Sequence, residues 1–143
     1  MKVTTGHVGI NVTSLERSKQ FYMAAFGLDI MGESTEEGKK FVFLTDGERL
    51  VLTLWEQSEG RFDPKAPGLH HLSFEMDSVE KLREAEAKIK DLGAEFLYDG
   101  IVAHGEGAPS GAFYFEDPDG TRLEIYSADA GEGHSAPSGE APT

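Results

Sequence analysis

Residues 7–27 read HVGINVTSLERSKQFYMAAFG, and residues 71–93 read HLSFEMDSVEKLREAEAKIKDLG. Each begins with a histidine and an apolar-rich run, His7 to Val12 and His71 to Met76. Six residues after the histidine stands a helix-capping residue, Thr13 or Asp77, with Glu16 or Glu80 three further on, the spacing of a capping box. Leu15, Tyr22, Ala25 and Phe26 then recur at helical spacing, as do Val79, Leu82, Ile89 and Leu92, and Gly27 and Gly93 stand where the helices stop. The chain is therefore an internal repeat, read twice as strand, helix, glycine.

Working outward, three strands follow each helix. In the first copy they are Leu28 to Gly32, Phe41 to Thr45 and Leu50 to Trp55. In the second they are Glu95 to Val102, Ala112 to Glu116 and Leu123 to Ser127. Asp46-Gly47 and Asp119-Gly120 mark the last hairpin turns. Sliding residues 46–53 over 119–126 matches Asp, Gly, Arg and Leu, four of eight positions, and sets Val51 against Glu124. The expected fold is α+β, two βαβββ modules at about 6–59 and 69–127 in one domain of residues 1–127. Gly60 to Gly68, with two prolines, links them. Residues 128–143 carry no large apolar side chain and read as a low-complexity, acidic, solvated tail.

Composition narrows the function. The 143 residues carry 13 Lys and Arg against 26 Asp and Glu, a formal charge of -13, which opposes nucleic acid and anionic membranes as partners. The absence of cysteine excludes disulfides, thiolate metal sites and cysteine nucleophiles. No apolar run approaches membrane-spanning length, and Met1 to Thr5 lack a signal-peptide core, so a cytoplasmic protein is expected.

Strand alternation selects candidate site residues. Val8, Ile10 and Val12 share one face and must cover the helix, which leaves His7, Gly9 and Asn11 opposite. Leu72, Phe74 and Met76 likewise leave His71, Ser73 and Glu75, so His71, not His70, is the equivalent of His7. In the last strand Leu123 and Ile125 face the helix and Glu124 and Tyr126 face away; Val51, Thr53 and Trp55 take that orientation in the first copy. A lone Glu within an apolar strand is costly to bury unless paired or coordinated. If the two sheets curl around one cavity, His7, His71 and Glu124 converge on it. Two imidazoles and a carboxylate suit a divalent metal, Fe(II), Mn, Ni or Zn. Trp55, Thr53, Val51 and Tyr126 would line the pocket, with Trp55 able to stack on a planar substrate.

Three segments, GHVGINVTSLERSKQFY at 6–22, LHHLSFEMDSVEKL at 69–82 and FYFEDPDGTRLEIY at 113–126, resemble the vicinal oxygen chelate superfamily. That superfamily includes glyoxalases, fosfomycin- and bleomycin-resistance proteins, methylmalonyl-CoA epimerases and extradiol dioxygenases. The resemblance implies a cup-shaped mixed β-sheet barrel with flanking helices, and one metal held at positions matching His7, His71 and Glu124. It also implies chelation of a substrate through neighbouring oxygens, and a homodimer. Glyoxalase I and the epimerases have a fourth Glu or Gln ligand where this chain is read to have Val51, which cannot ligate. The extradiol dioxygenase signature resembles His104 followed by Phe113, Tyr114, Asp117, Pro118, Gly120 and Glu124, with a spacer one residue longer than usual. There His104 would be an acid-base group, and Tyr126 is a second catalytic candidate; the alternative for His104 is a histidine in a Gly-rich loop. The expected function is thus a metal-dependent enzyme, dioxygenase-like before glyoxalase-like, with Fe(II) favoured. The alternatives are a bleomycin-resistance-like protein that sequesters a drug and a thiol-transfer resistance enzyme.

Overall fold

A computed structural model describes residues 1–137. The chain divides into two compact units, Met1–Arg61 and Phe62 onward. Each contains one helix and one four-stranded mixed sheet.

Unit 1 runs β1 (Val8–Val12), α1 (Leu15–Phe26), β2 (Asp29–Ser34), β3 (Phe41–Thr45) and β4 (Leu50–Glu56). Its sheet has the order β1-β4-β3-β2, with β1 parallel to β4 and the other pairs antiparallel. The parallel pair is the strand that precedes the helix and the strand that ends the module, so the helix is the first part of the crossover between them. Ile10, Val12, Val42, Leu44, Leu52 and Leu54 from the sheet and Leu15, Tyr22 and Ala25 from α1 are buried, as alternation and helical period require. Gly27 ends α1 in the left-handed conformation, φ 65°, where a side chain would be strained.

Unit 2 repeats the plan with β5 (Leu72–Glu75), α2 (Val79–Asp91), β6 (Val102–Ala103), β7 (Gly111–Glu116) and β8 (Arg122–Ser127), in the order β5-β8-β7-β6. Leu82, Ala85 and Ile89 of α2 and Phe113, Phe115, Leu123 and Ile125 of the sheet form its core. Among the described residues the strands are hydrogen-bonded as two separate sheets, one per unit, and not as one closed barrel. Among the described residues no helix is long and apolar enough to cross a membrane.

Four local expectations differ from the structure. Both helices are capped one residue later than the capping-box spacing suggests. Ser14 Oγ accepts from Arg17 N and Ser78 Oγ from Lys81 N, each at 3.3 Å. Thr13 Oγ1 instead donates to Gly60 O, 2.9 Å, and Glu56 Oε2 accepts from Leu15 N, 2.8 Å, satisfying the first helical amide.

The strand expected over Glu95 to Val102 is broken. Phe96 makes a single bridge to Phe115 and only Val102–Ala103 form a ladder with β7. Between them Gly100 passes so close to α2 that a Cβ there would lie 2.6 Å from Glu86 Oε2, and that oxygen accepts from Ile101 N at 3.1 Å. The Glu86 carboxylate thus takes the amide a ladder would have used.

The third correction concerns register. Val8 is opposite Leu52 and Gly9 opposite Thr53, whereas Leu72 is opposite Leu123 and Ser73 opposite Glu124. The residue of unit 1 equivalent to Glu124 is therefore Thr53, not Val51. The slip is two residues and comes from pairing Asp46 with Asp119. Separately, Leu44 is opposite Leu52 and Thr45 opposite Leu50, so Val51 is the extra residue of a bulge.

The turns are built on different aspartates from those the four-of-eight match paired. Asp46 Oδ1 accepts from Glu48 N and Arg49 N, and Asp117 Oδ1 from Asp119 N and Thr121 N. Asp46 thus corresponds to Asp117, and the match with Asp119 was accidental.

The segment after Ser127 is the fourth correction, for the part described. Ala130 is wholly buried and Gly131 is buried. The rest of the expected tail, residues 138–143, lies outside the described residues.

Candidate active site

Glu124 lies in the middle of β8 on the face turned away from α2, opposite Ser73 of β5 and Tyr114 of β7. It is buried, 5% exposed, in a strand whose neighbours Leu123 and Ile125 are core residues. An isolated carboxylate there would be costly; this one is surrounded by donors. His104 Nε2 approaches its Oε2 at 2.6 Å, and His71 Nε2 lies 3.3 Å from its Oε1. Ser73 and Tyr114 also hydrogen-bond the carboxylate. Burial pushes the carboxyl up, but the hydrogen bonds from His104, Ser73 and Tyr114 and the attraction of His104 outweigh it and hold it below its ordinary value. Burial, followed by the charge of Glu124, pushes the Tyr114 hydroxyl well above its ordinary value, so it stays a donor.

The two histidines differ in how they are held. His104 follows β6 on the loop to β7; its amide donates to Ser110 O at 3.0 Å and its Nδ1 meets Ser110 Oγ at 2.7 Å. With an ionised carboxylate as acceptor, the 2.6 Å contact is that of an Nε2–H donating to Oε2, in the range of charge-assisted bonds. His71 precedes β5, and its Nδ1 lies 2.7 Å from Nδ1 of His70. One of those two nitrogens must carry a hydrogen and the other a lone pair. His70 is therefore the outer partner that orients His71 and leaves Nε2 facing Glu124. Tyr126, two residues beyond Glu124, meets the His104 ring edge-on at 5.7 Å. The charge of Glu75 opposite it raises its hydroxyl above the ordinary value.

Unit 1 presents a different surface at the matching positions. Thr53 is buried, and its Oγ1 accepts from Trp55 Nε1 at 2.9 Å, which fixes the indole. Trp55 packs against Phe41 and Phe43, with ring centroids 5.2 and 5.9 Å away, as half-buried residues. Gly9 leaves room beside them; a Cβ there would come 3.1 Å from Thr53 Oγ1. His7 belongs to this unit and stands exposed just before β1. Val51, the position read as the missing fourth ligand, sits at the bulge; the residue that matches Glu124 is Thr53, whose side chain is neither a carboxylate nor an amide.

Among the described residues, no three His, Asp or Glu are gathered so as to hold a metal ion. What unit 2 offers is a pair. His71 Nε2 and Glu124 Oε1 lie side by side, and the remaining polar atoms of both side chains are held by His70, His104, Ser73 and Tyr114. An imidazole and a carboxylate so braced fit two donors of a divalent cation.

Sequence reasoning passed over four of these residues. Ser73 and Tyr114 share the orientation of Glu124 and were open to the same alternation argument. Ser110 sits in a loop and carries no periodic signal. His70 has core parity, but alternation does not bind a residue that precedes the strand.

Residues 4–125 match the model of the Glyoxalase/Bleomycin resistance protein/Dioxygenase superfamily. The chain belongs to this superfamily. Among its relatives is a catechol-2,3-dioxygenase of Bacillus subtilis (strain 168), 29% identical over 123 residues, which are 85% of this chain and 40% of that protein. The chain thus spans two-fifths of that relative's length. A probable trivalent organoarsenical cleaving enzyme of the same strain is 29% identical over 122 residues, covering 84% of this chain and 77% of the relative. In fold the chain is similar to the fosfomycin resistance protein FosX of Listeria monocytogenes, solved with Mn(II) and sulfate. The TM-score is 0.66 at 20% identity, over 89% of this chain and 93% of that one.

Proposed function

We propose that this superfamily member is a divalent-metal-dependent enzyme acting on a small molecule with two neighbouring oxygens, dioxygenase-like before glyoxalase-like. The observation that carries the reading is the braced Glu124 carboxylate, one oxygen on His104 and the other beside His71. His71 and Glu124 would hold the metal with His7, which has in unit 1 the place before the first strand that His71 has in unit 2. Iron(II) is the favoured ion, with Mn, Ni and Zn as alternatives. When bound, such a cation polarises a chelated oxygen pair and leaves positions open for a second reactant.

The chain's own residues have distinct tasks. Glu124 keeps one oxygen, Oε1, free of hydrogen bonding to His104. His104 can give up the proton on Nε2 to a neighbouring oxygen and take it back, with Ser110 holding the ring in place. Arg122 shares the face of Glu124, and its Nη1 is buried with no partner among the described residues, a donor ready for a negatively charged oxygen. Trp55, Thr53, Val51 and Tyr126 are the proposed pocket lining.

Two features favour the dioxygenase-like reaction: the relative named catechol-2,3-dioxygenase, and the aromatic cluster of Phe41 stacked on Phe43 with Trp55 tilted against both, suited to a planar ring. Arsenic-carbon cleavage is disfavoured, because trivalent arsenic is a soft centre that binds thiolates and this chain has no cysteine.

The test is elemental analysis of protein purified without chelators, followed by oxygen uptake by the anaerobically prepared Fe(II) form against a panel of catechols. Uptake that falls steeply in His104→Ala, with metal content unchanged, is the expected result. Turnover of thiol–aldehyde adducts by Ni or Zn protein, with no oxygen uptake, would move the assignment to glyoxalase-like chemistry. Antibiotic binding without metal or turnover would favour sequestration.

A further inference from the structure

The segment after β8 is short of apolar side chains, yet it is packed closely against the loop that carries His104. Gly131 N donates to Pro109 O at 2.9 Å, and Ser135 O accepts from Ala103 N at 2.9 Å, the residue just before His104. Between these bonds the backbones touch with no room for a side chain. A Cβ on Gly131 would lie 2.1 Å from Ala108 O and 2.3 Å from Ser110 O. A Cβ on Gly111 would lie 2.7 Å from the Ala130 carbonyl. Ala130 is wholly buried, and Asp129, bonded to Ser127 Oγ, fixes the departure from β8.

The contacts converge on a single residue. Pro109 and Ser110 form the return of the loop, and Ser110 holds His104 twice, through its carbonyl to the amide and through Oγ to Nδ1. Ala103 holds the other end. His104 then spends its second ring nitrogen on Glu124 Oε2. The only side chain this segment buries completely is a methyl group, so apolar burial does not explain the close packing. Fixing the backbone of a glycine-rich loop, which otherwise has many conformations, does explain it.

We propose that residues 128–135 are a positioning strap for His104: they clamp both ends of the 103–111 loop and so set the His104–Glu124 hydrogen bond. Gly131 is the key residue, since only the smallest residue lets the strap seat on Pro109 and Ser110. The strap touches neither reacting atoms nor the proposed metal donors. Its action is through the loop, and it stands whether the reaction is dioxygenase-like or glyoxalase-like.

The experiment uses the metal-free 143-residue chain with nitrogen-15 in its histidines, read by proton–nitrogen correlation spectra. The His104 Nε2–H, bonded to a carboxylate, gives a downfield ring proton, assigned by its loss in His104→Gln. In Gly131→Val that proton is expected to exchange with water about tenfold faster or to vanish, the scale of one lost hydrogen bond. Amide protection of β8 and α2 and the ring signals of His71 are expected to stay as they were. A chain ended after Ser127 is expected to show the same change. Ser110→Ala should imitate it and Ser110→Thr, which retains the hydroxyl, should restore it. An unaltered His104 proton in the folded truncated chain would overturn the proposal. So would a matching loss of protection throughout β8 and α2 in Gly131→Val, which would make the segment a general stabiliser of unit 2.

Discussion

Unit 1 and unit 2 share an element order, a sheet order and a helix capped by serine, and they differ at the positions that face away from the helix. Where unit 2 has Ser73 opposite Glu124, unit 1 has Gly9 opposite Thr53. Where Tyr114 is opposite Glu124, unit 1 has Phe43 opposite Thr53. One copy has become a network of hydrogen-bonded ionisable groups and the other a wall of aromatic rings. The helix-facing residues barely reflect this, because packing against a helix asks only for apolar volume. Duplication of a module thus leaves the core alike while the opposite face is free to diverge.

The comparison can be broken most strongly at Glu124. Glu124→Ala should weaken divalent metal binding, followed by titration calorimetry, by more than the about 100-fold that loss of an outer partner costs. Thr53→Val, at the matching position, should leave it within about threefold, since no liganding group is removed. Equal losses from both substitutions would mean that the units share the metal chemistry.

The reciprocal change sharpens the contrast. Thr53→Glu places a carboxylate where Gly9 and Phe43 supply no donor side chains and the Trp55 indole N–H is a single neighbouring donor, and should cost about 2 kcal/mol in urea unfolding. A neutral outcome would show that the Glu124 network is not what makes burial of a carboxylate tolerable.

Next in size is His70. His70→Ala should reduce metal affinity about tenfold by freeing the His71 ring, and His70→Asn, with an acceptor oxygen, should recover most of it. Unchanged affinity in His70→Ala would remove it from the site.

The smallest effects concern what the units have in common. Ser14→Ala and Ser78→Ala should each cost about 1 kcal/mol in chemical denaturation. Asp77→Ala should stay within about 0.5 kcal/mol, as expected of a surface residue that does not cap its helix. If Asp77 matters more than Ser78, the assigned cap is wrong.

The sequence conveyed the helices, most strands and the faces of the site strands, because apolar periodicity over a dozen residues leaves few alternatives. Leu15–Phe26 and Val79–Asp91 are where the pattern puts them, and Leu123 and Ile125 are core while Glu124 points the other way. Register was less accessible. The accidental Asp-Gly match misaligned the last strands by two residues, and a shift of two keeps every face assignment, so alternation could not expose it. The caps were misread by one position because Thr13-Ser14 and Asp77-Ser78 each offer two suitable residues in succession. The packed segment after Ser127 was invisible for another reason. Its contacts are made by backbone atoms and by the absence of a side chain at Gly131, and composition reads such glycine as freedom to move.

Trp55, the single tryptophan of the chain, lies wholly within unit 1 with its indole N–H on Thr53. Emission excited at the red edge of the protein spectrum therefore comes from one module alone. A ring stacking on Phe41, Phe43 and Trp55 would quench it directly. Unit 2, whose aromatic residues are Phe and Tyr, contributes no such light. Placing a tryptophan at Phe115, in the core of unit 2, against a Trp55→Phe background would give the second module its own optical channel. Comparing the two emissions during unfolding would reveal whether the halves melt together or in sequence.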